Sequence, residues 1–340
     1  MNLSITTNNT NLFFILLSMK IIINLENVLH NVNSIKERTN SEICAVVKAD
    51  AYSHGAVKVA RAIEDKVRCF AVATYSEAVE LLNGGVRKEI IILGSDGCNN
   101  EKNIIPSVVS EYDVIKKRKY LRYNVAVNTG MNRLGVTLDG SVFSYLEKNK
   151  VFSIFSHVYS QNSLKSQTDL FKKFTTKYNF GLTHLYSSSY IFSKEQFDMV
   201  RPGLALYGYG YNFLRPAMVA YAEIVWTSNL KKGEHVGYGD FVLKKDSKIA
   251  TLKVGYRDGF SRLKENEKRE VVINGKRCSI VGQICMDMCM VDVTHVQVKV
   301  GDFAYLFSSD LNIDCVSSMR NTISYEILST IHHREDAIYK

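Results

Sequence analysis

A chain of 340 residues with 46% hydrophobic and 23% charged residues has the composition of a folded globular protein, and its length suits two domains better than one core. Its net charge of +9 is spread along the sequence, and the densest basic run, Lys116-Lys117-Arg118-Lys119, reads as a solvated helix face, so nucleic acid is not expected as a partner. No apolar stretch reaches the ~20 residues that cross a bilayer, and seven cysteines without a Cys-x-x-Cys pair exclude a disulfide framework and a zinc site, the pattern of reduced thiols in a cytoplasmic protein.

Residues 1–19 hold an apolar run at 12–17 that lacks both the basic start and the cleavage site of a signal peptide. They are expected to be an extension outside the fold, with the folded chain beginning near Lys20. From residue 42 to 208 short apolar, β-branched runs alternate with amphipathic stretches. Strands are predicted at 43–48, 69–73, 90–93, 107–110, 124–127, 153–157, 183–186 and 200–206, with helices such as 56–66 and 77–83 between them. Strands separated by helical crossovers give a parallel sheet, and eight of them allow closure into a (β/α)8 barrel over residues 20–218. After Pro216 the helical period gives way to short alternating runs at 222–227, 249–254, 270–273, 278–281, 290–293 and 303–307. Asn274-Gly275 between two of them is a hairpin signal. Residues 219–340 are therefore read as a mainly β second domain, closed by a helical stretch at 323–332.

A barrel of this kind carries its reactive groups at the C-terminal ends of its strands, with a phosphate site often following the last two. Lys48 ends the first predicted strand, Arg133 follows the fifth, His157 ends the sixth, Ser187-Ser188-Ser189 follow the seventh and Arg201-Pro202-Gly203 sit at the eighth. Each has an ordinary alternative: a solvated lysine, a hydrogen-bonded histidine, a surface arginine, a plain serine loop. Their convergence on one rim is what marks a site, and a lysine there is the residue type that condenses with a carbonyl cofactor.

Ala45-Val-Val-Lys-Ala-Asp-Ala-Tyr-Ser-His-Gly55 resembles the pyridoxal-phosphate lysine motif of the alanine racemase family. Gly130-Met-Asn-Arg-Leu-Gly135, Ser156-His157, Arg201-Pro-Gly-Leu-Ala-Leu-Tyr-Gly208, Val254-Gly-Tyr-Arg-Asp-Gly-Phe260 and Val281-Gly-Gln-Ile-Cys-Met-Asp287 follow in that family's order. The resemblance implies a fold type III racemase of L- and D-alanine that acts as a homodimer with shared active sites and supplies D-alanine for cell-wall peptidoglycan. Lys48 would carry pyridoxal 5'-phosphate and serve as one base, and Tyr256, delivered from the neighbouring subunit, as the other. Tyr52, Ser188 and the backbone of Gly203 and Leu204 would hold the phosphate, with Arg201 at the pyridine nitrogen and His157 beside the cofactor. Arg133 and Met286 would meet the substrate carboxylate, and Asp287 would belong to the same entrance. No metal is implied.

A racemase removes a proton from one face of a planar carbon and returns one to the other, which calls for two bases on opposite sides. Three departures from the family pattern stand out. Ala126 replaces the lysine that often sits beside the carboxylate arginine, Ser187 replaces the asparagine before the phosphate serine, and the C-terminal phosphate tyrosine finds its best match near His333. The alternatives are a racemase of broader or serine specificity, a decarboxylase on the same plan and a non-catalytic cofactor carrier. A carrier would not need the second domain with Tyr256.

Overall fold

The computed structural model describes residues 19–116, 120–137, 143–178, 180–264, 267–331 and 337–340. The N-terminal residues 1–18, most of the basic run at 116–119, and His333 lie outside the described residues.

One compact unit comprises residues 21–219, 312–332 and 337–340. Its sheet contains β1 (Glu42–Val46), β2 (Cys69–Val72), β3 (Ile90–Ile92), β4 (Ile104–Ile105 with Ser107–Val108), β5 (Tyr123–Ala126), β6 (Val151–Phe155), β7 (Leu182–Ser187) and β8 (Met199–Arg201). All neighbours pair in parallel, and β8 pairs with both β7 and β1, so the sheet closes on itself. Strands buried on both faces read as continuous apolar runs, as Ile90–Ile92 does with every residue buried.

β4 arrives as two pieces because Pro106 interrupts it. Proline has no N–H to give the ladder, yet its carbonyl accepts from Asn124 N at 2.8 Å, so pairing passes from β3 on one side to β5 on the other without opening the barrel. The sequence places this strand at 107–110, missing its first half. β8 is shorter than the predicted 200–206, because Pro202 and Gly203 end it and Leu204–Tyr207 turns into a 3-10 helix.

The helices are α1 (Leu25–Lys36), α2 (Ala56–Ile63), α3 (Tyr75–Asn83), α4 (Glu111–Lys116) and α5 (Leu164–Lys177), with α6 (Ile313–Met319) and α7 (Ser324–Ser329) returning from the far end of the chain. Local chemistry sets several starts: the Asn24 side chain accepts from Asn27 N ahead of α1, and Thr74 with Glu77 forms a reciprocal capping box on α3. α6 and α7 group with the barrel, although the sequence assigns them to the second domain. Their buried apolar residues, Ile313, Val316, Ile327 and Leu328, need a partner surface. α7 finds one against the segment after β1, where Ser53 Oγ donates to the Ile331 carbonyl at 3.1 Å.

Residues 220–311 form the core of a second unit. Its strands are β9 (Met218–Leu230), β10 (Ser247–Leu252), β11 (Glu270–Ile273), β12 (Lys276–Val281), β13 (Cys289–Asp292) and β14 (Phe303–Phe307). They follow the order β10-β13-β12-β11-β14-β9, all antiparallel, and β9 also pairs with β10, which closes the ring. Asn274 and Gly275 join β11 to β12 with φ of 48° and 74°, the paired positive values of a type I′ turn.

Candidate active site

Lys48 stands just beyond the end of β1, at the start of an unusual turn. Ala49, Asp50, Ala51, Tyr52 and Ser53 all take left-handed backbone angles, with φ of 51°, 51°, 54°, 54° and 60°. Each such non-glycine residue costs ~1–2 kcal/mol, so the segment stores strain that its surroundings must offset. Ala49 N–H donates to Glu77 Oε1 at 2.7 Å, and Ala56 N–H to Asp50 Oδ1 at 2.7 Å. His54 Nδ1 donates to the carbonyls of Ala51 and Tyr52 at 3.0 and 2.8 Å. Tyr207 stacks on His54 with ring centroids 4.3 Å apart while its hydroxyl donates to the Val46 carbonyl at 2.9 Å. Gly55 ends the turn at φ 85°, and a Cβ there would lie 1.9 Å from the Tyr339 hydroxyl oxygen. The turn thus projects Lys48 and Tyr52 together.

Both side chains line a cavity of about 600 Å³ at the C-terminal ends of the barrel strands, together with Arg133, His157, Ser188, Arg201 and Gly203. At one end the Ser188 hydroxyl accepts from the backbone of Gly203 at 2.9 Å and of Ala205 at 3.2 Å. Leu204 lies between those residues and is buried. A Cβ on Gly203 would sit 2.7 Å from the Tyr52 hydroxyl oxygen, so only glycine leaves this corner open. Tyr325 of α7 completes it: its ring is 5.8 Å from that of Tyr52, its hydroxyl is hydrogen-bonded to Ser188, and it lines the cavity. Sequence reading looked for a tyrosine near His333 instead. The usable signal was an aromatic residue in a short helix whose packing Ile327 and Leu328 already supply.

Arg201 also lines the cavity and is buried, and among the described residues no carboxylate pairs with it. Nη1 donates to His184 Nδ1 at 2.8 Å and to the His184 carbonyl at 2.7 Å. Nη2 donates to the carbonyls of Ser156 at 2.6 Å and Leu185 at 3.0 Å, with His157 Nδ1 at 3.5 Å. Those bonds use the four terminal N–H groups, and among the described residues no acceptor meets Nε–H. Arg133, which is exposed, has no carboxylate partner among the described residues. Ala126 lines the cavity where a lysine is common in the family the sequence resembles.

The electrostatics follow from burial and crowded cations. Burial, then Arg133 and Arg201, lower the Lys48 ammonium below its ordinary range, with Glu77 opposing. Burial, then Arg201, Arg133 and Lys48, pull His157 down to about 3, so it is neutral at pH 7. Burial draws Arg201 down to about 10, with Arg133 adding to the effect, which leaves it charged. Tyr52 and Tyr325 are pushed upward, chiefly by burial, and stay protonated donors. Hydroxyl and backbone donors, a lysine with a lowered pKa and a cation with an unclaimed N–H, all lining one cavity, form a donor set that fits a phosphate-bearing pyridine aldehyde.

Tyr256, Met286 and Asp287 belong to the second unit and form a cluster there. Tyr256 opens a short 3-10 turn, with its N–H on the Cys285 carbonyl at 3.0 Å and Arg257 N–H on that of Met286 at 3.1 Å. Asp258 caps the turn by accepting from Gly255 N at 2.9 Å. A Cβ on Gly255 would come within 2.3 Å of the Met286 carbonyl oxygen, which explains the glycine. The three residues are exposed.

A closed parallel barrel with a lysine on its strand-end rim, followed along the chain by an antiparallel second unit, is the two-domain plan that the sequence resemblance implied. Residues 23–210 match the profile described as alanine racemase, N-terminal domain, and residues 217–339 that of its C-terminal domain. An alanine racemase of Clostridium kluyveri is 34% identical, with 93% of each chain covered. Among solved structures, the alanine racemase of Acinetobacter baumannii is 28% identical with a TM-score of 0.86, covering 95% of this chain and 100% of that one. That of Bartonella henselae, described with covalently bound pyridoxal phosphate, is 29% identical with a TM-score of 0.85, covering 95% and 99%. The chain belongs to the alanine racemase family.

Proposed function

We propose that this enzyme interconverts L- and D-alanine with pyridoxal phosphate, as a homodimer in which each cavity is completed by the neighbour's Tyr256. The observation that carries the reading is the cavity itself: Lys48 shares it with the hydroxyl and backbone groups of Tyr52, Ser188, Gly203 and Tyr325 and with Arg201, whose Nε–H no described residue claims. When bound, pyridoxal phosphate supplies the carbonyl that captures the substrate amine and the ring that draws electrons from its α-carbon.

The chain's own residues supply the rest. Tyr52, Tyr325, Ser188 and the backbone of Gly203 and Leu204 hold the phosphate. Arg201 keeps its proton at neutral pH and therefore gives the ring nitrogen a hydrogen bond without protonating it. That tempers electron withdrawal and disfavours side reactions such as transamination. Arg133, which has no carboxylate partner among the described residues, takes the substrate's. Lys48, neutral more often than an ordinary lysine, holds or removes the α-proton on one face, and the partner subunit's Tyr256 does so on the other. Met286 and Asp287 of the same cluster border the entrance. The product would serve peptidoglycan synthesis in the cytoplasm.

The test is a mixed dimer of Lys48→Ala and Tyr256→Phe chains. Each homodimer is expected to be inactive, and the mixture to regain up to a quarter of wild-type activity, because half of the dimers are mixed and each of these holds one intact site. No recovery on mixing refutes the shared site.

A further inference from the structure

Four polar side chains occupy the barrel interior beneath the cavity, where apolar filling is the rule. Ser107, Asn124, Ser153 and His184 come from β4, β5, β6 and β7, and all have zero exposure. They make one continuous chain: Ser107 Oγ donates to the Ile92 carbonyl at 2.5 Å, Asn124 Nδ2 to Ser107 Oγ at 3.1 Å, and Ser153 Oγ to Asn124 Oδ1 at 2.5 Å. His184 Nε2 meets Ser153 Oγ at 3.1 Å, and Arg201 Nη1 meets His184 Nδ1 at 2.8 Å. Phe155 stacks on His184 with ring centroids 5.3 Å apart, and the Arg201 guanidinium lies over the same Phe155 ring, 5.5 Å from its centroid.

Every proton in this chain has one permitted place. The Ile92 carbonyl only accepts, so Ser107 gives it its hydroxyl proton and must receive from Asn124 Nδ2. That fixes the amide, turning Oδ1 toward Ser153, whose own proton goes there. The Ser153 oxygen then accepts from His184 Nε2–H, which leaves Nδ1 bare to accept from Arg201. We infer that Asn124 and Ser153 are positioning residues: through the His184 tautomer they fix the plane of the Arg201 guanidinium and hence the direction of its Nε–H into the cavity. An apolar interior would pack as well without desolvating four polar groups. Burial and the Arg201 charge both disfavour protonation of His184, which agrees with its role as a neutral acceptor. This inference rests on the reading of Arg201 as the residue facing the ring nitrogen, but its first readout does not need the cofactor.

The experiment is nitrogen-15 NMR of the apoprotein, with Ser153→Ala and Ser153→Thr as variants. Wild type is expected to show His184 neutral with the proton on Nε2, and a sharp Arg201 Nε–H signal reporting a rigid guanidinium. Ser153→Ala should broaden or shift that Arg201 signal and lower kcat roughly 10-fold, the weight of one buried hydrogen bond, with cofactor affinity changed less than about twofold. Ser153→Thr, which keeps the hydroxyl, should restore both. A proton on Nδ1 in wild type, an Arg201 signal unmoved by Ser153→Ala, or a loss that threonine does not rescue overturns the proposal. If Ser153→Ala fails to fold, the wild-type tautomer and Ser153→Thr decide it. If racemisation itself proves absent while the tautomer is as assigned, the failure lies with the proposed reaction and not with the chain.

Discussion

Tyr325→Phe isolates the corner proposed for the phosphate. The ring, 5.8 Å from that of Tyr52, is retained by phenylalanine, so packing in the corner is preserved. What disappears is one hydroxyl, hydrogen-bonded to Ser188 and held protonated by burial. A hydrogen bond to a charged group is worth ~1.5–3 kcal/mol, and each 1.36 kcal/mol is a factor of ten. Affinity for pyridoxal phosphate should therefore fall about 10- to 150-fold. Equilibrium titration of apoprotein with pyridoxal phosphate, read by absorbance, measures this, and pyridoxal without phosphate is the control. The control should bind wild type and variant within about twofold. An unchanged affinity for pyridoxal phosphate, or an equal loss for both compounds, refutes the assignment of Tyr325 to the phosphate.

Three further expectations rest on separate features. His157 has its folded pKa at about 3 against 6.5 when unfolded, so the unfolded chain takes a proton that the folded one refuses, and stability falls as pH drops below 6.5. At pH 5 that amounts to about 2 kcal/mol, and urea unfolding of the apoprotein should lose that much less between pH 7.5 and 5 in His157→Asn; an identical loss in the variant contradicts it. Arg133 lowers Lys48, so the pH midpoint for covalent capture of the cofactor by apoprotein should lie below 10.5 and move upward in Arg133→Leu, and a midpoint that stays put removes the coupling. Gly55→Ala places a Cβ 1.9 Å from the Tyr339 hydroxyl oxygen at φ 85° and should cost on the order of 2–4 kcal/mol in denaturant unfolding. Adding Tyr339→Phe should return the part due to the clash, and no recovery would mean that the turn, and not the contact, sets the cost.

The barrel was legible because parallel strands covered on both faces leave unbroken apolar runs, and the gathering of Lys48, Arg133, His157, Ser188 and Arg201 around one cavity because polar residues sit where those runs stop. Strand β4 was half missed since Pro106 divides it into pieces too short to carry a period. The left-handed turn was illegible: Ala49, Ala51, Tyr52 and Ser53 have no local preference for positive φ and Asp50 alone does not call for five in a row, while the partners that hold the turn, such as Glu77 and Tyr207, are distant in sequence. Tyr325 was hidden because its neighbours looked like an ordinary amphipathic helix and the approach of α7 to Tyr52 is a tertiary fact. His184 gave no signal either, since a histidine within a strand reads as core until its partners Arg201 and Ser153 are seen.

The most direct test is α-proton exchange followed by NMR in deuterated buffer, with L-alanine or L-serine and pyridoxal phosphate present. Deuterium entering the α-carbon of L-alanine while D-alanine accumulates, with both lost in Lys48→Ala and in Tyr256→Phe, is the predicted result, and the serine rate sets the specificity. Bound cofactor with no exchange on either substrate, or exchange that never yields D-alanine, contradicts a two-base racemase.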